Sequence, residues 1–495
     1  MSALKYISLG GIWLTLLSCA PARAQQQADT PQDQQQGQQP SQPIPAIRSP
    51  LASGADNDQY EAPNPQLMQP DTRSLTGVED LSLGTMALEH SYWQPRVALS
   101  ETVDSNPGSS TAENGSWGTW TSLLGGVDIH RVSGNSELLL SYTGGGMFST
   151  GSNSSPSGII QELSFKDKFS FRRVTLSVFD QTGYLPESSF GFAGTAGAGL
   201  PGVGAGAGVG SSFTPGQSIL TPEGQNLSNA IDVEVDTKLT GRSSLTFVGG
   251  YTLEHYFDDN LLNFDSGTFQ AGYNYVLTRK DTIAVSYSFS AYRYSNVAQA
   301  LNLNTVQASY ARRVTGKLAF QISAGPQFAS STFPITSSTT STTSGTTSTS
   351  QLYWTLNTAL QYQLRHSAIN ASYNHGVSGG SGVLAGAETD VVTGGFNSQV
   401  SRTFNVGFTA GYSRNKGFAV TSGSSGTSEA QDYSYWFAGV NVAHPIGRSL
   451  DIFANYQLQY QNANATGCVG STCSTNITRN QIMFGLNLHK QPIPF

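Results

Sequence analysis

Between Gly267 and Tyr294 the chain reads GTFQAGYNYVLTRKDTIAVSYSFSAYRY, and the plan of that stretch recurs almost to the last residue. Phe269, Ala271, Tyr273, Tyr275 and Leu277 alternate with Gln270, Gly272, Asn274 and Val276. A polar turn over 278–282 follows, and then Ile283, Val285, Tyr287 and Phe289 alternate with Ala284, Ser286, Ser288 and Ser290. Side chains on a strand point to opposite faces with a period of two, so this is a hairpin with one apolar, aromatic face and one small, polar face.

Repetition of the unit gives about eighteen strands from 93 to the end, and the gaps between them are sorted by length. Every second gap is a short turn, as at 240–242, 314–316, 366–367 and 402–403. The gaps between are longer and rich in Gly, Ser, Thr and Asn. A soluble sandwich has no reason to sort its loops this way, whereas a membrane-spanning barrel has short turns on one side, long loops on the other and an even strand count. The expected fold is therefore all-β: a transmembrane antiparallel up-and-down barrel with short periplasmic turns and long outer loops.

Composition supports a sheet with lipid on one side and water on the other. Charged residues make up 12% of the chain, against roughly 25% in typical soluble domains. There are 54 Gly, 21 Tyr and 24 Phe among the 495 residues. After the leader no apolar run reaches the roughly eighteen residues that a spanning helix needs, but a closed barrel can cross because closure pairs every backbone group.

The N-terminus reads as an export signal over 1–24. Lys5 precedes the apolar run 7–17, and Ala22-Arg23-Ala24 supplies small residues for cleavage before Gln25. An alternative is a lipoprotein box ending in Cys19, although Leu17 directly before Ser18 fits it poorly. Loss of Lys5 and Arg23 takes the formal charge from −7 to −9, which argues against nucleic acid as a partner. Residues 25–90 form a Gln/Pro/Asp-rich periplasmic segment, expected to be disordered because it cannot bury enough apolar surface to offset its ordering entropy. It reads as a spacer or as an arm touching cell wall or a partner. Its less biased part, 71–84, is a candidate to dock in or under the barrel mouth. Residues 91–495 are the barrel.

Three outer loops stand out. The Gly-rich stretch within 183–225 is either a pore constriction or a surface loop, and the Ser/Thr tract 337–350 is a solvated or glycosylated tip. Cys468 and Cys473 in the third form an even pair in an exported chain, which favours a disulfide over a metal site.

The alternation assigns faces. On 229–239, Ile231, Val233, Val235 and Leu239 point one way and Asp232, Glu234, Asp236 and Lys238 the other. Charges facing acyl chains at the midplane would each cost up to about 2–4 kcal/mol, so these four line the lumen, as a stiffening hydrogen-bond network or as an acidic rail that attracts cations. The same phase puts Gln361, Gln363 and Arg365, and Asn455, Gln457 and Gln459, on the inner wall. No nucleophile or metal-binding motif surrounds any of the seven histidines, so no catalytic residue, cofactor or metal is expected.

From about Trp93 to Phe495, together with the leader, the chain resembles bacterial outer-membrane porin-type barrels, and its layout is similar to uncharacterised outer-membrane barrels of environmental Gram-negative bacteria. Phe484, Leu486 and Leu488 followed by Phe495 look like the C-terminal signature that barrel-assembly machinery reads. The chain departs from it at 489–495, where two prolines break the ladder and Phe495 is out of phase with Leu488. The resemblance implies an outer-membrane location, contact with lipid bilayer and lipopolysaccharide, and passive diffusion of small hydrophilic solutes through a monomer or a trimer. Competing functions are a non-conducting scaffold, adhesin or polysaccharide-export partner, and a hydrolase.

Overall fold

In a computed structural model, the described residues are 75–76, 91–107, 117–150, 157–185, 225–257, 261–295, 299–335, 345–379, 384–401, 403–418, 432–463 and 476–495. The expected leader over 1–24 with Cys19, most of 25–90, the Gly-rich stretch, residues 337–344 of the Ser/Thr tract, and Cys468 and Cys473 lie outside them.

The strands are β1 (Tyr92–Asp104), β2 (Gly118–Ser133), β3 (Ser136–Ser149), β4 (Gly158–Ser170), β5 (Val174–Leu185) and β6 (Asn226–Lys238). They continue as β7 (Ser243–Tyr256), β8 (Phe264–Val276), β9 (Asp281–Tyr294), β10 (Ala300–Arg313), β11 (Leu318–Ile335) and β12 (Gly345–Gln363). The last are β13 (Ser367–Ser378), β14 (Ala387–Ser401), β15 (Phe404–Gly417), β16 (Asp432–Ile446), β17 (Leu450–Ala463), β18 (Asn476–His489) and the two-residue β19 (Ile493–Pro494). Each of the eighteen full strands pairs antiparallel with its sequence neighbours, β1 pairs with both β2 and β18, and β19 pairs with β1. The ring is closed at eighteen full strands, and no described residue is helical.

Three of the short turns share one chemistry. In Leu239-Thr240-Gly241-Arg242, Leu277-Thr278-Arg279-Lys280 and Val314-Thr315-Gly316-Lys317, the threonine hydroxyl accepts hydrogen bonds from the backbone N–H groups two and three residues on, at 3.0–3.2 Å. This side-chain turn satisfies two donors that the ladder leaves open at its end.

The outward phase is apolar, as the alternation predicts. Leu352, Trp354, Val285, Phe269, Phe408 and Phe484 are all exposed on the outside, Leu352 by 64%. Their inward neighbours Ser286, Thr355 and Asn274 are buried. A contiguous exposed apolar surface running round the ring is tolerable only against lipid. The belt gives way toward the long-loop end, where Glu101 accepts from Thr121 at 2.5 Å and His375 Nδ1 lies 2.8 Å from Asp390 on the outward side.

The closing seam is pinned from inside at both ends. Toward the long loops, Arg479 Nε of β18 donates to Asp104 Oδ2 of β1 at 2.6 Å, and Gln481 Nε2 donates to the same oxygen at 2.8 Å. Arg479 and Asp104 are both fully buried. Toward the short turns, His489 Nε2 is 3.2 Å from Asp451 and its Nδ1 is 3.2 Å from Gln94 Nε2.

The chain terminus departs from the phase read in the sequence. Arg96 faces His489, but Trp93 faces Ile493, so one strand advances by three residues while the other advances by four. The extra residue is a bulge at 490–492, the device by which a ladder absorbs one unpaired residue. It moves Ile493 into register with the outward Trp93, and the Phe495 N–H bonds to the Ser91 carbonyl at 3.4 Å. Phe495 is thereby back in phase with Leu488, Leu486 and Phe484, all exposed on the outer face. The prolines do not end the pairing; they lie in and beside the bulge.

Two outcomes follow for stability measured by denaturant unfolding in lipid vesicles. Val285→Arg, in the belt, costs roughly 2–4 kcal/mol, while Ser288→Arg, on the inner face of the same strand, costs much less. Asp104→Ala removes the carboxylate bonded to the fully buried Arg479 guanidinium and costs about 3–5 kcal/mol.

Candidate functional site

The interior of the ring is the candidate site, and its wall is polar where the alternation placed polar residues. On β6, Asp232, Glu234 and Asp236 point inward and Lys238 stands exposed at the short-turn end. Asp232 and Glu234 are 1% and 4% exposed, so they sit within the wall and not proud of it. Asp236 takes a 2.5 Å hydrogen bond from the Thr246 hydroxyl on β7, and Thr246 in turn accepts from Asn274 Nδ2 on β8 at 3.0 Å. Gln361 and Gln363 of β12 face inward, as do Asn455, Gln457 and Gln459 of β17, with Gln459 fully buried.

Arg365 is the exception. It lies exposed in the β12–β13 turn, because the Leu364 N–H bonds the Ser367 carbonyl at 2.7 Å and the strand ends at Gln363. It belongs to the rim and does not line the lumen.

Sequence reasoning missed a second polar group. Arg96 on β1 donates to Asp128 on β2 at 2.6 Å and to Thr143 on β3 at 2.7 Å, and Asp128 accepts from Ser141 at 2.6 Å. This cluster and the Asp104–Arg479 pair mean that cations and anions are interleaved on the wall. Four of the histidines engage carboxylates or backbone: His130 with Glu137, His375 with Asp390, His489 with Asp451 and His444 with the Thr403 carbonyl. Among the described residues no cluster of His, Cys, Asp and Glu has the makings of a metal site.

Two segments fold into the lumen. Near the long-loop end, Phe264, Tyr292, Tyr294, Leu301 and Leu303 form a buried apolar cluster on the inner face of β8–β10, and Val377, Ala385 and Phe418 pack on it. The tip of β13 leans inward: the Val377 N–H donates to Gln327 Oε1 at 2.7 Å, and Gln327 Nε2 donates back to the Val377 carbonyl at 3.2 Å. Beyond it, the Tyr294 hydroxyl donates to the Gly379 carbonyl, and Gln299 Nε2 donates to the Ala385 carbonyl at 2.7 Å. β13 and β10 are three strands apart, about 14 Å at the usual strand spacing, so these contacts are made across the inside of the barrel. A Cβ on Gly379 would come within 2.3 Å of the Tyr292 ring. Gly379 and Ala385, near the two ends of the β13–β14 connection, thus lie inside the barrel, and the glycine is what admits the close approach to the Tyr292 ring.

The second lies toward the short turns. Leu75 and Thr76 sit on the inner face of β8, seven strands round the ring from β1. The Leu75 N–H donates to Asn274 Oδ1, and Asn274 Nδ2 donates to Thr76 Oγ1, each at 3.0 Å. Gln270 Nε2 donates to the Thr76 carbonyl at 2.5 Å. Gly272 makes the seat: a Cβ there would lie 2.4 Å from the Thr76 side chain. One hydrogen-bonded chain therefore runs from Asp236 through Thr246 and Asn274 to Thr76, and part of 71–84 does dock within the mouth.

An antiparallel ring of eighteen strands, apolar outside and polar inside, is a membrane-spanning β-barrel. No protein-family model matches the sequence, and no curated protein matches it. Among solved structures the chain is similar to OpdQ of Pseudomonas aeruginosa, with a TM-score of 0.39, 11% identity, and coverage of 82% of this chain and 100% of that one. It is also similar to OccAB3 of Acinetobacter baumannii (TM-score 0.39, 9% identity, 81% of this chain and 99% of that one). A third similar structure is OccK2 of Pseudomonas aeruginosa in complex with glucuronate, with a TM-score of 0.39, 10% identity, and coverage of 81% and 99%. Likeness at that level transfers no function.

If the two in-folded segments narrow the passage, loosening either one widens it. Asn274→Ala and Gly379→Leu should each raise single-channel conductance by a factor of roughly 1.5 or more, because flow is set by the narrowest cross-section. Recording from purified variants in planar bilayers checks this.

Proposed function

We propose that the protein is an outer-membrane channel for passive diffusion of small hydrophilic solutes. The observation that carries this reading is the continuous polar phase inside a closed ring of eighteen strands, on β6, β12 and β17 alike. A ring of this size has an interior wider than side chains alone can fill. A structural scaffold has no need of a wall of Asp, Gln and Asn that faces inward. Passage is by diffusion, filtered by width and by charge. Arg96 and Arg479 stand beside Asp128 and Asp104 on the same wall as the acids of β6, so the wall carries both signs, which favours neutral polar solutes or weak ion preference over strong cation selection. No catalytic step is required of any residue.

Planar-bilayer recording of refolded full-length protein tests the reading. Discrete conductance steps with a cation-to-anion permeability ratio near one are expected. A barrel that folds correctly and gives no steps contradicts the channel reading and leaves the scaffold, adhesin or export-partner functions in its place.

A further inference from the structure

Charge is sorted between the two ends of the barrel more sharply than any other property. The nine long connections (105–117, 150–157, 186–225, 257–263, 295–299, 336–344, 379–386, 418–431 and 464–475) contain no Lys or Arg at all. Their charged residues are the acids Glu113, Glu187, Glu223, Asp258, Asp259 and Glu429.

The short turns are the reverse. Arg172 and Arg173 follow β4, Arg242 follows β6, Arg279 and Lys280 follow β8, and Lys317 follows β10. Arg365, Arg402 and Arg448 stand in the next three, and no short turn contains Asp or Glu. The six bases from Arg172 to Lys317 are all exposed.

The strand-end acids on that side, Glu137, Asp167, Asp281 and Asp451, offset only part of this charge, being four against nine bases in the turns. Asp281 is bonded by Thr278 at 2.5 Å and Tyr310 at 2.8 Å, Asp167 by Ser136 at 3.0 Å, and Glu137 lies against His130. Asp451 is buried against His489. The recurrent Thr-x-Lys/Arg turn explains how the bases are displayed: the threonine closes the turn through its own hydroxyl, leaving the basic side chain free of any structural duty there.

We infer that the short-turn rim is a docking collar for anionic phospholipid headgroups in the leaflet it faces. Two features select that partner. The sign is uniform, so the partner is polyanionic. The bases go round most of the ring, and a protein or peptide would cover an arc, whereas lipid is the one partner that surrounds a barrel on every side. Arg-rich rims also suit phosphate, which guanidinium groups grip through paired hydrogen bonds. The inference rests on the membrane-spanning fold and does not depend on conductance.

The test uses the full chain in lipid vesicles and spin-labelled lipids, reading the motionally restricted fraction at the protein surface. Phosphatidylglycerol should associate about threefold or more over phosphatidylcholine at low ionic strength, and the preference should collapse at high salt, as a surface electrostatic contact must. In the variant Arg172→Gln/Arg173→Gln/Arg242→Gln/Arg279→Gln/Lys280→Gln/Lys317→Gln the preference should fall close to one. Heat-modifiable mobility on gels confirms that the variant is folded, and Arg365→Gln/Arg448→Gln, expected to give a partial loss, serves if it is not. Equal association of both lipids with the wild type overturns the inference, as does a folded six-fold variant that keeps the wild-type preference. So does a phosphatidylglycerol preference that emerges only after Glu79, Asp80 and Glu89 are neutralised, because the chain's own acidic segment would then be the occupant of the collar.

Discussion

Everything in this structure depends on one pairing, that of β1 with β18. In hydrocarbon an unpaired backbone N–H or carbonyl costs several kcal/mol, so an open sheet edge is not an option at membrane depth. Seventeen strand-to-strand contacts form between sequence neighbours, but the eighteenth must join segments nearly four hundred residues apart. The chain reinforces that joint from inside. The buried Asp104–Arg479 ion pair holds one end and the Gln94–His489–Asp451 set holds the other. A buried ion pair adds little net stability over a well-packed apolar pair, but it strongly penalises a wrong partner. At a seam, where a slip of one residue would turn every side chain to the wrong face, that penalty enforces register.

Most of this architecture was legible because it repeats. Period two reports the face of a residue, and the sorting of gap lengths reports which end of the barrel each gap occupies. Neither reports depth or in-folding, and that is where the reading stopped short. Phe495 looked out of phase because a bulge is invisible to counting, and Arg365 looked lumenal because alternation does not say where a strand ends. The β13–β14 connection reads as one Gly/Ser-rich stretch among several. Its signal lay elsewhere, in Tyr292, Tyr294, Leu301 and Leu303, which are apolar residues occupying the polar phase of β9 and β10. An apolar residue on a wet wall needs a cover, and Val377, Ala385 and Phe418 supply part of it.

Asp236 belongs to a hydrogen-bonded chain that stiffens three neighbouring strands, and that same chain extends to Thr76. The hydrogen bonds that stiffen the wall and those that seat Thr76 are thus one network. Glycine makes both narrowings possible, since Gly272 and Gly379 admit another segment where a Cβ would exclude it. The sequence uses small residues on the wet face to make room for its own chain.

Closure is the central claim, and cross-linking across the seam tests it most directly. Leu99 and Leu486 are register partners on the outer face, and Phe484 is displaced from Leu99 by two residues along the same face. Directly opposed Cα atoms in an antiparallel pair are about 4.5–5.5 Å apart, within the span of a disulfide. With the three native cysteines replaced by Ser, Leu99→Cys/Leu486→Cys should oxidise to an intramolecular disulfide in the lipid-embedded protein, and Leu99→Cys/Phe484→Cys should do so far less. No cross-link at 99–486, or equal yields from the two pairs, would contradict a closed ring in this register.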